Sequence, residues 1–178
     1  VPRSVIFNWV DEAQKVTPEL KVLAYTGPDR NQSIEALSEQ DLVVTSYGLM
    51  RRDIDVLSQI DFDYAVLDEA QAIKNPASRT AKALRTIRAD ARFALTGTPV
   101  ENHVGELWSL FEFLNPGMLG LLPKFRSLFG TDLADDTRDD HRQLIQRALR
   151  PVMLRRTKAQ VLTELPDKVE QILWCDLE

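Results

Sequence analysis

The chain predicts an α/β fold: a parallel sheet sandwiched by helices, followed by a small all-helical segment. Three observations carry this expectation. Short apolar runs alternate with segments of helical spacing from Ser4 to Leu95. Runs such as Leu42-Val43-Val44-Thr45 and Tyr64-Ala65-Val66-Leu67 are apolar at successive positions, the pattern of strands covered on both faces. After Asn102 the strand-like runs give way to helical periodicity.

The elements follow in order. Ser4 is read as the cap of a helix through Ile6, Trp9, Val10 and Ala13 that stops before Pro18. Lys21 to Tyr25 reads as a strand ended by Gly27-Pro28, and a short helix follows near Ser33 to Ser38. Leu42 to Thr45 is the second strand, and Tyr47 to Ile60 is helical. Tyr64 to Leu67 is the third strand and delivers Asp68. Asn75-Pro76 is read as the start of a helix carrying Ala77, Ala81, Leu84 and Ile87, with Asn as cap and Pro in the first turn. Arg92 to Leu95 is the fourth strand. Val104, Leu107, Trp108, Phe111 and Leu114 then define a strongly amphipathic helix closed by Asn115-Pro116-Gly117. Further helices are expected around Lys124 to Phe129, around Leu144 to Leu149, and from Arg155. An acidic loop is expected from Thr131 to Asp140, and a strand from Val169 to Cys175. The domains are set at 1–101, 102–150 and 151–178.

Composition narrows the function classes. The chain has 178 residues, 44% hydrophobic and 28% charged, enough for one domain with a real core. Its apolar stretches are too short to span a bilayer. One cysteine, Cys175, cannot form an internal disulfide or a cysteine-built zinc site, and fits a reducing compartment. Two histidines, His103 and His141, are too few for a histidine-built metal centre. A net charge of −5 is a poor match for a polyanion, so any nucleic-acid contact has to be local.

In parallel α/β sheets the active residues lie at the carboxyl ends of strands. Thr45-Ser46, Asp68-Glu69 and Thr96-Gly97 fall there. Two adjacent carboxylates at the end of a buried strand are costly unless something needs negative charge. A magnesium-bound nucleotide and an attacking water would need it: Asp68 for the metal's water shell, Glu69 to position the water or take its proton. A metal-dependent phosphohydrolase would need further carboxylates at neighbouring strand ends, and Thr45-Ser46 and Thr96-Gly97 do not supply them. Gly97 is read as allowing a close backbone approach or a positive φ. Asn8 and Trp9 are read as a polar helix face and a core anchor. Arg79, Lys82, Arg85 and Arg88 read as a solvated basic face.

Taken together, these residues resemble the first motor lobe of Swi/Snf-type ATPases within helicase superfamily 2. Val1-Pro2-Arg3-Ser4-Val5-Ile6-Phe7-Asn8-Trp9 is similar to motif Ia, and Asp41 to Tyr47 to the motif after it. Asp68-Glu69-Ala70-Gln71-Ala72-Ile73-Lys74-Asn75-Pro76 is similar to motif II, in the Ala-Gln form of bacterial members. Leu95-Thr96-Gly97-Thr98-Pro99-Val100-Glu101-Asn102 is similar to motif III. Leu107 to Pro116 and Leu154 to Lys168 resemble the stretches that join the two lobes. Six such stretches in the right order are specific.

The resemblance implies a RecA-like lobe that uses ATP and Mg2+. Asp68, Glu69 and Gln71 would be catalytic, with magnesium at Asp68 through water. Thr96, Gly97 and Thr98 would couple nucleotide state to DNA grip. Arg3, Ser4, Thr45, Ser46, Lys74 and Asn75 would contact the phosphates of double-stranded DNA without base specificity. Arg155, Arg156 and Lys158 would face a second motor lobe. It also implies nucleoprotein remodelling without a membrane partner, in a bacterial cytoplasm at the nucleoid, or in the nucleus of a eukaryote.

The departures set further expectations. The sequence contains no glycine-rich phosphate loop with its lysine, and no second lobe with its arginine finger. The chain is therefore expected to be an inactive fragment of a longer translocase, with a gap or a pairing-hungry edge in its sheet. A catalytically silent interaction or scaffold module derived from such a lobe is the alternative.

Overall fold

The structure, a computed structural model, describes residues 1–28, 30, 34–97, 104–130, 139–156 and 160. These form two compact units, Val1–Asp139 and Asp140–Glu178.

In the first unit a single turn at Arg3–Val5 leads into α1 (Ile6–Val16). Then come β1 (Val22–Tyr25), α2 (Ile34–Ser38) and β2 (Leu42–Thr45). Next are α3 (Tyr47–Arg52), α4 (Ile54–Leu57), β3 (Asp61–Leu67), α5 (Arg79–Arg85) and β4 (Arg88–Ala94). The helical part follows with α6 (Val104–Leu114) and α7 (Leu122–Phe129). α8 (Asp139–Leu149) runs into the second unit, where Ile145 and Leu149, one turn apart, are buried. No helix among the described residues is long and apolar enough to cross a membrane.

The strands are parallel, as the alternation of elements requires. β1 pairs with β2 from Val22↔Leu42 to Tyr25↔Thr45, and β3 with β4 from Asp61↔Arg88 to Leu67↔Ala94. Among the described residues β2 and β3 share no ladder, and a groove of about 730 Å³ lined by Val43, Val44, Tyr64 and Ala65 lies between them. At its end the Val1 nitrogen donates to the Thr45 carbonyl at 2.9 Å, and the Tyr47 N–H donates to the Val1 carbonyl at 3.3 Å. That exchange is one rung of a parallel ladder beside β2.

The core joins Tyr25, Leu37, Met50, Leu57 and Ile60 to Leu67, Ile73, Leu84, Leu110 and Phe113. α6 packs on β4, α5 and α7, which is why its residues are buried nearly all round. Ser109 on α6 donates to the Ile73 carbonyl at 2.6 Å in full burial, locking the helical part to the turn after β3. Arg92 reaches from β4 to the Phe113 and Ile87 carbonyls and lies over the Phe113 ring. One face of the β3–β4 pair departs from the expected two-sided cover: Tyr64, Val66, Phe93 and Leu95 are exposed, with Tyr64 and Phe93 in ring contact. Apolar composition states what a face can bury, not that a neighbour lies against it.

Local chemistry moves several predicted boundaries. Ser4 lies within the opening turn and caps nothing, and α1 begins without a side-chain cap. Asn75 instead accepts from the Ala77 N–H at 2.9 Å, closing an Asx turn, and Ser78 caps α5 by accepting from Ala81. The helix expected over Tyr47 to Ile60 breaks at Asp53, whose carboxylate is gripped by Arg30 at 2.6 and 3.1 Å. β3 and β4 extend upstream of the apolar runs, through Asp61 and Arg88, which pair at 3.1 Å. Arg85 leaves the basic face: it donates to the Pro76 carbonyl and lies over the Trp108 ring, whereas Arg79, Lys82 and Arg88 stay exposed. Arg155 and Arg156 are outside any helix. The acidic loop was expected from Thr131 to Asp140; its residues 131–138 lie outside the described residues, as do the strand over 169–175 and His103, while Asp139 and Asp140 begin α8 instead.

The Arg30–Asp53 pair is shielded, with both side chains only 12% and 13% exposed. The guanidinium holds the Asp53 carboxyl below the usual carboxylate range against the opposing effect of burial, and the buried Tyr25 phenol is pushed up beside it. The lowered Asp53 value means that the stabilisation is complete above the unfolded-chain value, about 4, and is lost as pH falls through the folded value. Asp53→Asn is expected to cost about 2 kcal/mol at neutral pH. In urea unfolding across a pH series, its difference from the parent chain should shrink on acidification below about pH 4.

Candidate functional site

β3 and β4 end side by side, and their backbones continue the pairing for one more step. The Leu95 N–H donates to the Leu67 carbonyl at 2.7 Å, and the Ala70 N–H donates to the Leu95 carbonyl at 2.9 Å. The chain must turn sharply between these bonds to carry Asp68 and Glu69 past the strand end. Glu69 takes the turn at φ 52° and ψ 55°, the one non-glycine residue with positive φ among the described residues. A left-handed residue with a side chain costs about 1–2 kcal/mol, a strain that concentrates at functional sites.

This turn brings three predicted residues into one chain of hydrogen bonds. The Gln71 side-chain N–H donates to Glu69 Oε2 at 2.7 Å. Gln71 Oε1 accepts from the Thr96 hydroxyl at 3.0 Å. One amide thus bridges the third strand's carboxylate and the fourth strand's hydroxyl. Glu69 and Gln71 are exposed, so the bridge faces solvent.

Asp68, next to it, is half-buried and held at three atoms. Its Oδ1 accepts from the Glu69 N–H at 3.0 Å, its Oδ2 from the Trp9 indole N–H at 2.9 Å, and its carbonyl from the Tyr47 hydroxyl at 2.6 Å. Burial first, and then the charges of Asp68 and Glu69, push the Tyr47 phenol well above its usual range, which keeps it a donor. Sequence reading took Trp9 as a core anchor and missed this bond, and Tyr47 as an ordinary helical residue. The signal available was indirect: a buried Trp or Tyr tends to find a partner for its polar tip.

The remaining candidates separate. Thr45 donates its hydroxyl to the Tyr25 carbonyl at 3.0 Å, and the buried Ser46 caps α3 by accepting from Leu49. Both side chains are engaged in holding the strand end. Arg3 and Ser4 are exposed, and the adjoining Val1 is bonded to Thr45 and Tyr47. Lys74 and Asn75 are exposed after the motif II turn, and Lys74 makes a long 3.9 Å ion pair with Glu106. Gly97 does not take the positive φ that was one of its two expected uses, and among the described residues a Cβ there would meet nothing within 4 Å. Arg155 and Arg156 are exposed in the second unit. Thr98 and Lys158 lie outside the described residues.

Among the described residues no three His, Cys, Asp or Glu side chains gather into a metal cage. The acid pair fits a magnesium ion that keeps its waters and takes its remaining ligands from phosphates, the usual way this ion is bound. It does not fit a dedicated protein-only metal centre.

The lobe is thus a parallel α/β fold with an acid pair at one strand end, tied through an amide to a threonine at the next. The chain belongs to the SNF2-related domain family, which matches residues 1–178. It is 39% identical over 189 residues to the TATA-binding protein-associated factor mot1 of Schizosaccharomyces pombe, covering 99% of this chain and 10% of that protein. It is also 39% identical to an uncharacterized ATP-dependent helicase of Mycoplasma genitalium, with 99% of this chain and 17% of that protein covered. The SWI2/SNF2 ATPase core of Sulfolobus solfataricus in complex with double-stranded DNA superposes with a TM-score of 0.79 at 36% identity, over 96% of this chain and 36% of that one. The RecA-like fold class follows from that match. The chain thus spans about a tenth to a sixth of these two relatives and about a third of the solved core.

Two stability measurements separate strain from support. Ser46→Ala removes a cap and is expected to cost about 1 kcal/mol in urea unfolding. Glu69→Gly relieves the left-handed strain and is expected to raise stability by about 1 kcal/mol.

Proposed function

We propose that this chain is part of the first lobe of an ATP-dependent motor that moves along double-stranded DNA and remodels nucleoprotein complexes. The observation that carries this reading is the Glu69–Gln71–Thr96 chain of hydrogen bonds. It links the acid that would handle the attacking water to the strand end that would report the nucleotide's state.

Each residue takes a role in this reading. Glu69 positions the water or accepts its proton. Gln71 senses the terminal phosphate and passes its presence to Thr96, with Gly97 and Thr98 completing that loop. Asp68 holds the water shell of the nucleotide's magnesium, which when bound neutralises charge on the phosphates. Arg3, Ser4, Lys74 and Asn75 offer exposed polar and cationic groups suited to a DNA backbone. Thr45 and Ser46 supply it chiefly with a rigid edge. The Sulfolobus core is a complex with double-stranded DNA, and the Schizosaccharomyces relative is named for association with TATA-binding protein. For this chain we take the DNA track and leave the displaced protein open.

In the same reading, residues 1–101 are the RecA-like part, 102–150 a helical subdomain, and 151–178 a linker, with Arg155, Arg156 and Lys158 toward a second lobe. ATP then binds between two lobes, and cleft closure shifts the grip on DNA. The sequence of this chain has no phosphate loop to hold the nucleotide by itself, so the 178 residues alone are proposed to be inactive. A bacterial cytoplasm fits the Ala-Gln form of motif II.

The test is Glu69→Gln in the longer protein that carries this lobe. DNA-stimulated ATP hydrolysis should fall at least a hundredfold, with nucleotide binding retained. Hydrolysis at the parent rate would refute the assignment. The 178-residue chain itself should show no measurable turnover and only weak, salt-sensitive DNA binding.

A further inference from the structure

Covalent geometry does not orient the Asp68 carboxylate. The last torsion of an aspartate is broad and nearly two-fold, so the plane of the two oxygens turns freely unless donors select it. Two donors do so here, one on each oxygen. The Glu69 N–H is part of the same turn. The other, the Trp9 indole N–H, comes from 59 positions upstream in the chain. An ionised carboxylate offers about four acceptor directions. With one taken on each oxygen of this half-buried carboxylate, acceptor capacity remains on both.

Trp9 is itself firmly placed. It sits one turn after Ile6, which is 2% exposed, on a helix that packs against β1 and β2. Its ring is half-buried, and an indole N–H in that position costs free energy unless it is paired. The bond to Asp68 satisfies the donor and fixes the acceptor together. Tyr47 fixes the Asp68 main chain from the β2 side, so the residue can shift neither its backbone nor its carboxylate plane without breaking a bond to another element.

We propose that Trp9 is a positioning residue of the hydrolytic site. Its indole N–H sets the plane of the Asp68 carboxylate so that the free acceptor directions meet the water shell of the nucleotide's magnesium. This rests on the role of Asp68 given above and adds a requirement on a different element of the fold. Outer partners of metal-binding groups typically change affinity or activity by 10–100-fold when removed.

Trp9→Phe keeps an aromatic ring and removes the donor. In the longer protein, measured beside Glu69→Gln, Trp9→Phe should lower kcat about tenfold and raise the Mg2+ concentration for half-maximal rate several-fold. KM for ATP at saturating Mg2+ and the thermal midpoint should stay near the parent values. Trp9→His, which retains a ring N–H, should recover part of the loss. An unchanged kcat and Mg2+ requirement in Trp9→Phe would overturn the proposal while Glu69→Gln still upholds the site. A fall in activity matched by lost thermal stability, with no change in Mg2+ requirement, would also overturn it and assign Trp9 to packing. Hydrolysis by Glu69→Gln at the parent rate would place the failure in the underlying reading instead.

Discussion

The site depends on one constraint: β3 and β4 run parallel and end in register. Leu67 lies opposite Ala94, and the pairing carries on through Leu95 to the Ala70 N–H. Whatever follows the two strands therefore emerges at the same edge. Because parallel strands need a crossover, α5 and its Ser78 cap have to lie between them in sequence, which separates the two halves of the site along the chain but not in space. Gln71 can then reach from one strand end to the other with a single side chain.

The strain at Glu69 follows from that constraint. An uninterrupted strand would carry the acid onward; the continued pairing at Ala70 turns the chain back under Leu95, and the left-handed residue absorbs the bend. The surrounding bonds determine the geometry more than once. Asp68 is held by Trp9, Tyr47 and the next N–H, and the turn that follows is fastened to α6 through Ser109 and Ile73. The helical part thus does more than append mass: its most buried stripe holds the far side of the motif II turn. The left-handed strain at Glu69 is thus held in place by bonds from other elements.

Much of this was legible in the residues, for identifiable reasons. α6 was read at its observed span because apolar residues at helical spacing are bounded by Asn115-Pro116-Gly117. β2 was read at its observed ends because a short apolar run has only one way to be buried in a parallel sheet. The meeting of Glu69, Gln71 and Thr96 follows from ordered motifs on adjacent strands. What escaped depends on choices between equivalent local partners or on contacts distant in sequence. Nothing local distinguishes Asn75, which closes a turn, from Ser78, which caps a helix, since both residue types do both. The break at Asp53 needs Arg30, more than twenty positions away. Trp9 has the pattern of a core residue because most of it is one; only the indole tip has another partner.

The central claim is that the paired ends of β3 and β4 form the edge where a nucleotide's terminal phosphate is hydrolysed. The most direct measurement is an anomalous difference map from crystals of the longer protein grown with manganese and a non-hydrolysable ATP analogue. The account predicts a manganese peak beside Asp68, through water, with the terminal phosphate within hydrogen-bond reach of Gln71. A peak away from this edge, for instance over the exposed Tyr64–Phe93 face, would contradict it.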